Sequence, residues 1–202
     1  MSVIIIQCSG RKKANSINGI KFVAQPQEVN EYHPDDNMDN NIGASWRQYI
    51  EAYNEKYQRT GENPYNLCKA GDLYLPNWYQ LIIQKYGYSS VYILSAGWGL
   101  VRSDYLIPSY NITFALSAPK KNKRNKNITF KDWNQLQCCD QFSFFGGSSY
   151  LNLLYELTSN LKCRKQIHYV SKNIEFKENY IYIEYPKSFT NWHYQALKAH
   201  CL

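Results

Sequence analysis

No segment of this 202-residue chain stays apolar over the about 20 positions that a membrane-spanning helix requires. The opening MSVIIIQC carries no charged leader, and its apolar run is too short for a signal peptide. A cytoplasmic setting with no membrane partner is the expectation. The six cysteines include no C-x-x-C pair, and the adjacent Cys138 and Cys139 have no histidine nearby, which speaks against a zinc site. Their expected role is that of small buried hydrophobes in a reducing compartment. No metal or other cofactor is implied, and nothing demands an obligate protein partner. Internal repeats and a low-complexity tail are also missing. Acidic side chains are in short supply, 16 against 23 Lys and Arg, which leaves a net charge of +7. That imbalance favours a polyanionic partner without choosing which.

What the chain has in plenty is aromatic residues: 19 Tyr, 5 Trp and 8 Phe, 16% of the total, suited to base stacking and equally to core packing. With 44% hydrophobic content the length supports one domain with a real core, expected to span residues 1–202 with long loops at about 26–44 and 117–129.

Apolar runs alternate with helical patterns. VIII at 3–6 precedes helices at 45–57 and 76–87, and VYIL at 91–94 is followed by a helix at 130–137. A strand at 142–145, a helix at 148–161, strands in QIHYV and YIYIEY, and a closing helix near 190–200 complete the series. Strands alternating with helices of this length predict βαβ crossovers, hence an α/β fold with a mostly parallel sheet covered on both faces. In such folds the working site sits at the carboxyl ends of the strands.

Several stretches converge on that expectation. The first strand ends in QCSGRKK, where Gln7, Cys8, Ser9 and Gly10 turn the chain and Arg11, Lys12 and Lys13 extend a concavity of backbone amides with positive charge. CSGR is too short to wrap a phosphate as a thiolate phosphatase does, so Cys8 is not read as a nucleophile. In ILSAGWGLVRSDYLIPSY, the small residues Ser95, Ala96 and Gly97 admit close backbone approach to a ligand, and Trp98 offers a flat face. Beyond them come Arg102, Asp104 and Tyr110. A carboxylate beside aromatics suits stabilisation of a developing sugar cation, and Asp104 is the catalytic candidate; capping a turn or pairing with Arg102 is the structural alternative. Asp72, at a helix entrance, is a second candidate with capping as its simpler role. Near the last strand, Asn191, Trp192 and His193 could place an amide, a ring and an imidazole on a leaving base. The run Lys120, Lys121, Lys123, Arg124 and Lys126 would repel itself unless water or phosphates neutralise it.

Taken in order, CSGRKK, AGDLY, ILSAGWGLV with Asp104 and Pro108-Ser-Tyr110, and GGSSY resemble a bacterial domain family of unknown function over most of residues 3–160. That family is similar to the uracil-DNA glycosylase-like superfamily, which implies a three-layer αβα sandwich that flips a nucleotide into a pocket at the strand ends. The superfamily reads its base with a loop after the first strand and a His-Pro-Ser loop after the last. The counterpart of the latter is Tyr185-Pro186-Lys187-Ser188, which lacks the histidine; Lys187 and Ser188 then join Arg11, Lys13, Arg102 and the 120–126 run as phosphate contacts. A remoter similarity is to peroxide-stress proteins that share the SA-x-x-GL block and bind DNA.

The resemblance implies a monofunctional DNA glycosylase without metal. Its target would be a bulky modified base, such as glucosylated hydroxymethylcytosine in phage DNA, released to leave an abasic site in antiphage defence. Base flipping would cost a few kcal/mol, which stacking on Trp98 or Trp192 could offset. Asp104 and His193 would be catalytic, with Gln7, Cys8, Ser9, Gly10, Lys12, Ser95, Ala96, Gly97, Tyr110 and Asn191 around base and sugar. The alternatives are a non-catalytic DNA-binding stress protein and a nucleoside hydrolase or deoxyribosyltransferase on small molecules.

Overall fold

The apolar run Val3–Ile6 is buried on both sides, which a strand achieves only inside a parallel sheet covered on both faces. A computed structural model describes residues 1–38, 43–115, 118–124, 136, 139–170, 174–186 and 192–201. Within them the chain runs β1 (Ser2–Gln7), β2 (Lys21–Val23), β3 (Glu31–Tyr32), α1 (Trp46–Thr60), β4 (Cys68–Lys69), α2 (Ala70–Leu73) and α3 (Trp78–Tyr86). It continues with β5 (Val91–Ser95), β6 (Gly99–Arg102), β7 (Leu106–Ile107), β8 (Tyr110–Asn111), β9 (Gln141–Phe145), α4 (Leu151–Thr158), β10 (Arg164–Tyr169), β11 (Ile181–Glu184) and α5 (Trp192–Cys201).

The central sheet has the order β11-β10-β9-β1-β5-β6. Neighbours are parallel from β11 through β5, and β6 is antiparallel to β5. The fold is therefore α/β with a mostly parallel sheet. Helices lie on both faces, as alternation along the strands shows. Phe145 and His168 are register partners, and both rings pack against His200 of α5. Their neighbours Phe144 and Ile167 point the other way, as does Tyr182, whose hydroxyl lies 3.0 Å from that of Tyr155 in α4. α3 shares the α5 face, where Trp78 stacks on Tyr194 at 6.0 Å.

α1 begins with a capping box between Ser45 and Gln48 and ends at Gly61, whose φ of 73° suits a residue without a Cβ. The helix expected at 130–137 lies, apart from Leu136, outside the described residues.

One feature departs from the reading of the sequence. ILSAGWGLVRSD does not leave the sheet at Ser95: the chain reverses over Ala96–Trp98 and returns as β6, with Ser95 opposite Gly99 and Tyr92 opposite Arg102. The glycines make this turn possible. Gly99 has a φ of 80°, and a Cβ on Gly97 would fall 2.8 Å from Cδ2 of Tyr110. Four residues of β6, about 3.4 Å each, carry Arg102 and the following Asp104 back to the amino rim of the parallel strands. A second, three-stranded parallel sheet, β3-β2-β8, also goes beyond the expected long loop at 26–44.

Candidate functional site

Where β1, β5 and β9 end, their carboxyl termini share one rim, and Gln7 sits at its centre. Its Oε1 accepts the Gly147 N–H at 2.6 Å and its backbone carbonyl accepts the Tyr79 hydroxyl at 2.8 Å. With Oε1 committed as acceptor, the amide donor Nε2 faces His193 Nε2 at 3.2 Å. That places the imidazole hydrogen on Nδ1 and makes the ring a neutral acceptor toward Gln7. Burial pushes the His193 pKa down to about 4, in agreement with a neutral ring at physiological pH. Gly146 permits the approach, since a Cβ there would meet the Phe144 ring at 2.3 Å and Gln7 Cβ at 3.1 Å.

Behind Gln7 lies a cage of tyrosines. Cys8 is buried with its Sγ 3.1 Å from the Tyr150 hydroxyl, and Tyr74 and Tyr110 join hydroxyls at 2.8 Å. Tyr79 stacks on Tyr74 with ring centres 4.8 Å apart. Burial holds the phenols of Tyr74, Tyr79, Tyr110 and Tyr150 well above their ordinary pKa, so all four remain protonated donors. Lys12 is positioned by strand-like pairing with Tyr74, and its Nζ lies 4.1 Å from the Tyr110 ring centre. Burial lowers its pKa, an effect partly offset by the Cys8 sulfur. Among the described residues no carboxylate pairs with it. Ser9 is half-buried and accepts the Arg11 N–H at 3.2 Å, whereas Gly10, Arg11 and Lys13 are exposed. Trp192 is half-buried, stacks on Tyr185 at 6.2 Å and lies nearly perpendicular to the His193 ring at 6.0 Å.

Other candidates are structural. Trp98 is 2% exposed and packs against Phe22, so it offers no face to a ligand. Ser95, Ala96 and Gly97 are buried as well. Ser95 Oγ accepts the amides of Gly97 and Trp98, and all three turn carbonyls are held by arginines. Arg124 Nη1 donates to Ala96 O at 2.9 Å, Arg47 Nη2 donates to Gly97 O at 3.2 Å, and Arg47 Nη1 bonds Trp98 O. Arg47, itself paired with Asp35, had no signal in the sequence, because nothing local links it to a turn fifty residues away. Arg124 is 6% exposed, so its guanidinium braces the protein rather than meeting phosphate.

Asp104 is the main correction. It lies at the amino rim and receives two hydrogen bonds from Arg102, Nε to Oδ1 at 2.6 Å and Nη2 to Oδ2 at 2.9 Å. The antiparallel return of β6 removes both residues from the site and makes them partners of each other. Asp72 is occupied by Tyr88 OH at 2.9 and 3.0 Å and Gln80 Nε2 at 3.0 Å. Of the basic run, Lys120 is exposed, Lys121 and Lys123 are half-buried, and the segment lies over the β5–β6 turn that Arg124 anchors. Lys126, Lys187, Ser188 and Asn191 lie outside the described residues. What converges on the rim is thus a set of neutral and cationic donors without a described carboxylate, an arrangement able to stabilise negative charge on a bound group.

Among the described residues no group of three His, Cys, Asp or Glu could hold a metal ion, and no helix is long and apolar enough to cross a membrane. Residues 59–181, more than half of the chain, match a family of unknown function, DUF6884. No curated protein and no solved structure matches the chain.

Proposed function

Starting from the chain's membership of DUF6884, a family of unknown function, we propose that it is a DNA glycosylase whose carboxyl rim binds a modified base and hydrolyses its N-glycosidic bond. What supports this reading is Gln7 at the carboxyl rim of a mostly parallel α/β sheet, its amide paired with the neutral ring of His193, with the Lys12 amine in the turn that follows the same strand. In hydrolysis the bond between C1′ and the base nitrogen breaks, water oxygen joins C1′, and the departing base takes up the electron pair and then a proton. Donors fixed at the rim oppose the charge that develops on that base. Half-buried Trp192 and Trp78 replace Trp98 as the surfaces on which a flipped base can stack. The net charge of +7, with Lys120 exposed in the segment that Arg124 fastens to the Ala96 carbonyl, supports a DNA substrate.

The finer proposal follows the similarity to the uracil-DNA glycosylase-like superfamily: a three-layer sandwich acting in antiphage defence on a bulky base such as glucosylated hydroxymethylcytosine. Incubation with phage DNA carrying that base should release it and leave alkali-labile sites, read by mass spectrometry and strand cleavage. Gln7→Ala should slow release about 100-fold. Modified DNA that keeps every base at low as well as physiological salt would overturn the proposal. The absence of a described carboxylate at the rim favours one second reading, a non-catalytic DNA-binding protein. It predicts salt-sensitive duplex binding with no abasic product.

A further inference from the structure

The small sheet β3-β2-β8 has an outer face that the rim does not use. Phe22, paired in register with Tyr32 and Tyr110, packs inward on Trp46 and Trp98. Alternation then sends Lys21, Val23, Glu31 and Asn111 to the opposite side. There they line a cleft of about 680 Å³, together with Ser109 and Lys121 among others. At this volume the cleft is in the range of small-molecule sites.

Glu31 makes this more than a surface groove. Its side chain is only 5% exposed, and Oε1 lies 3.7 Å from Lys121 Nζ. Its Oε2 is buried without a hydrogen-bond partner among the described residues. A buried carboxylate oxygen is costly unless a donor meets it. The cleft thus combines a floor that calls for an N–H or O–H donor with two lysine amines, Lys21 and Lys121, suited to an anion. Val23 and Ile20 add an apolar wall. An amino acid satisfies the charges but leaves most of the volume unfilled.

We propose that this cleft binds a nucleoside monophosphate unit, with base N–H donors on Glu31 and the phosphate between Lys21 and Lys121. Guanine is the preferred base, because its edge places two N–H donors side by side for a carboxylate. The unit comes either from a free nucleotide or from a nucleotide within a strand, and the site does not depend on the glycosylase reading.

Calorimetric titration of the full chain with GMP, guanosine, UMP and a short guanine-containing oligonucleotide tests the assignment. GMP or the oligonucleotide should saturate one site, and whichever binds identifies the source. Guanosine and UMP should each bind at least about tenfold more weakly than GMP. Glu31→Gln should weaken binding by a similar factor, and Lys21→Glu, at an exposed position that leaves the core intact, should do the same. Gln7→Ala should leave this binding unchanged, which separates its fate from that of the rim. Failure of both GMP and the oligonucleotide to bind, or binding that Glu31→Gln and Lys21→Glu leave unaltered, would overturn the proposal.

Discussion

Asp104 and Gln7 are a matched pair of tests at the level of single side chains. Asp104 is partly exposed and satisfied by Arg102 at the rim opposite to the candidate site. Asp104→Ala should therefore leave base release at the wild-type rate and cost no more than about 1 kcal/mol in a denaturant melt. Gln7→Ala should lower release, and because it leaves the Gly147 N–H and the His193 ring without their partner it should also cost about 1–3 kcal/mol in the same melt. The residue types that reach the rim, Gln7, Lys12, Trp192 and His193, stand at strand and helix ends recognisable from apolar runs and turn residues. Asp104 could not be placed in the same way. Its position depends on whether the chain leaves the sheet or doubles back after Ser95, and Ala-Gly-Trp is compatible with either.

At the scale of elements, that turn is held by contacts remote in sequence. Gly97→Ala puts a methyl group against the Tyr110 ring and should destabilise the protein by about 1–3 kcal/mol, measured by urea unfolding. Arg124→Gln should also lower stability, since it withdraws a buried donor from Ala96 O, yet leave the salt dependence of DNA binding unchanged. Lys120→Gln, at an exposed position, should leave stability alone and reduce the slope of log affinity against log salt by about one. The basic run thus divides into members that differ in burial, a distinction composition does not contain. Long elements such as α1 and β1 were legible because their periodicity extends over enough residues. β2, β3 and β8 are two or three residues each, too short to show a period, so the sheet that carries Glu31 was not.

For the whole molecule, three histidines set the response to acid. His33, His168 and His193 are buried, and desolvation lowers each to about 4 from an ordinary 6.5. The unfolded chain takes up protons below about 6.5, whereas the folded chain resists them until about 4. Stability is therefore full above the unfolded value and is lost as pH falls through that window. Each histidine contributes a slope of up to about 1.4 kcal/mol per pH unit. Denaturant melts across the window should show the decline, and His168→Phe, which keeps a ring on Phe145 at the 4.2 Å stack, should make it shallower. The alternation of apolar runs and helical patterns announced a mostly parallel α/β sheet, because burial on both faces leaves its mark in continuous apolar runs. It did not reveal the order β11-β10-β9-β1-β5-β6, in which the last parallel pair lies on the far side of β9 from β1.

The arginine-braced turn also constrains the sequence of events during synthesis. β5 and β6 can pair as soon as they emerge from the ribosome, and Arg47 is by then already available. The Ala96 carbonyl, however, must wait until Arg124, 28 positions further along the chain, arrives. A nascent chain stalled before that point holds its hairpin with one end unfastened, so the segment after β8 acts as the latch that completes this edge of the sheet.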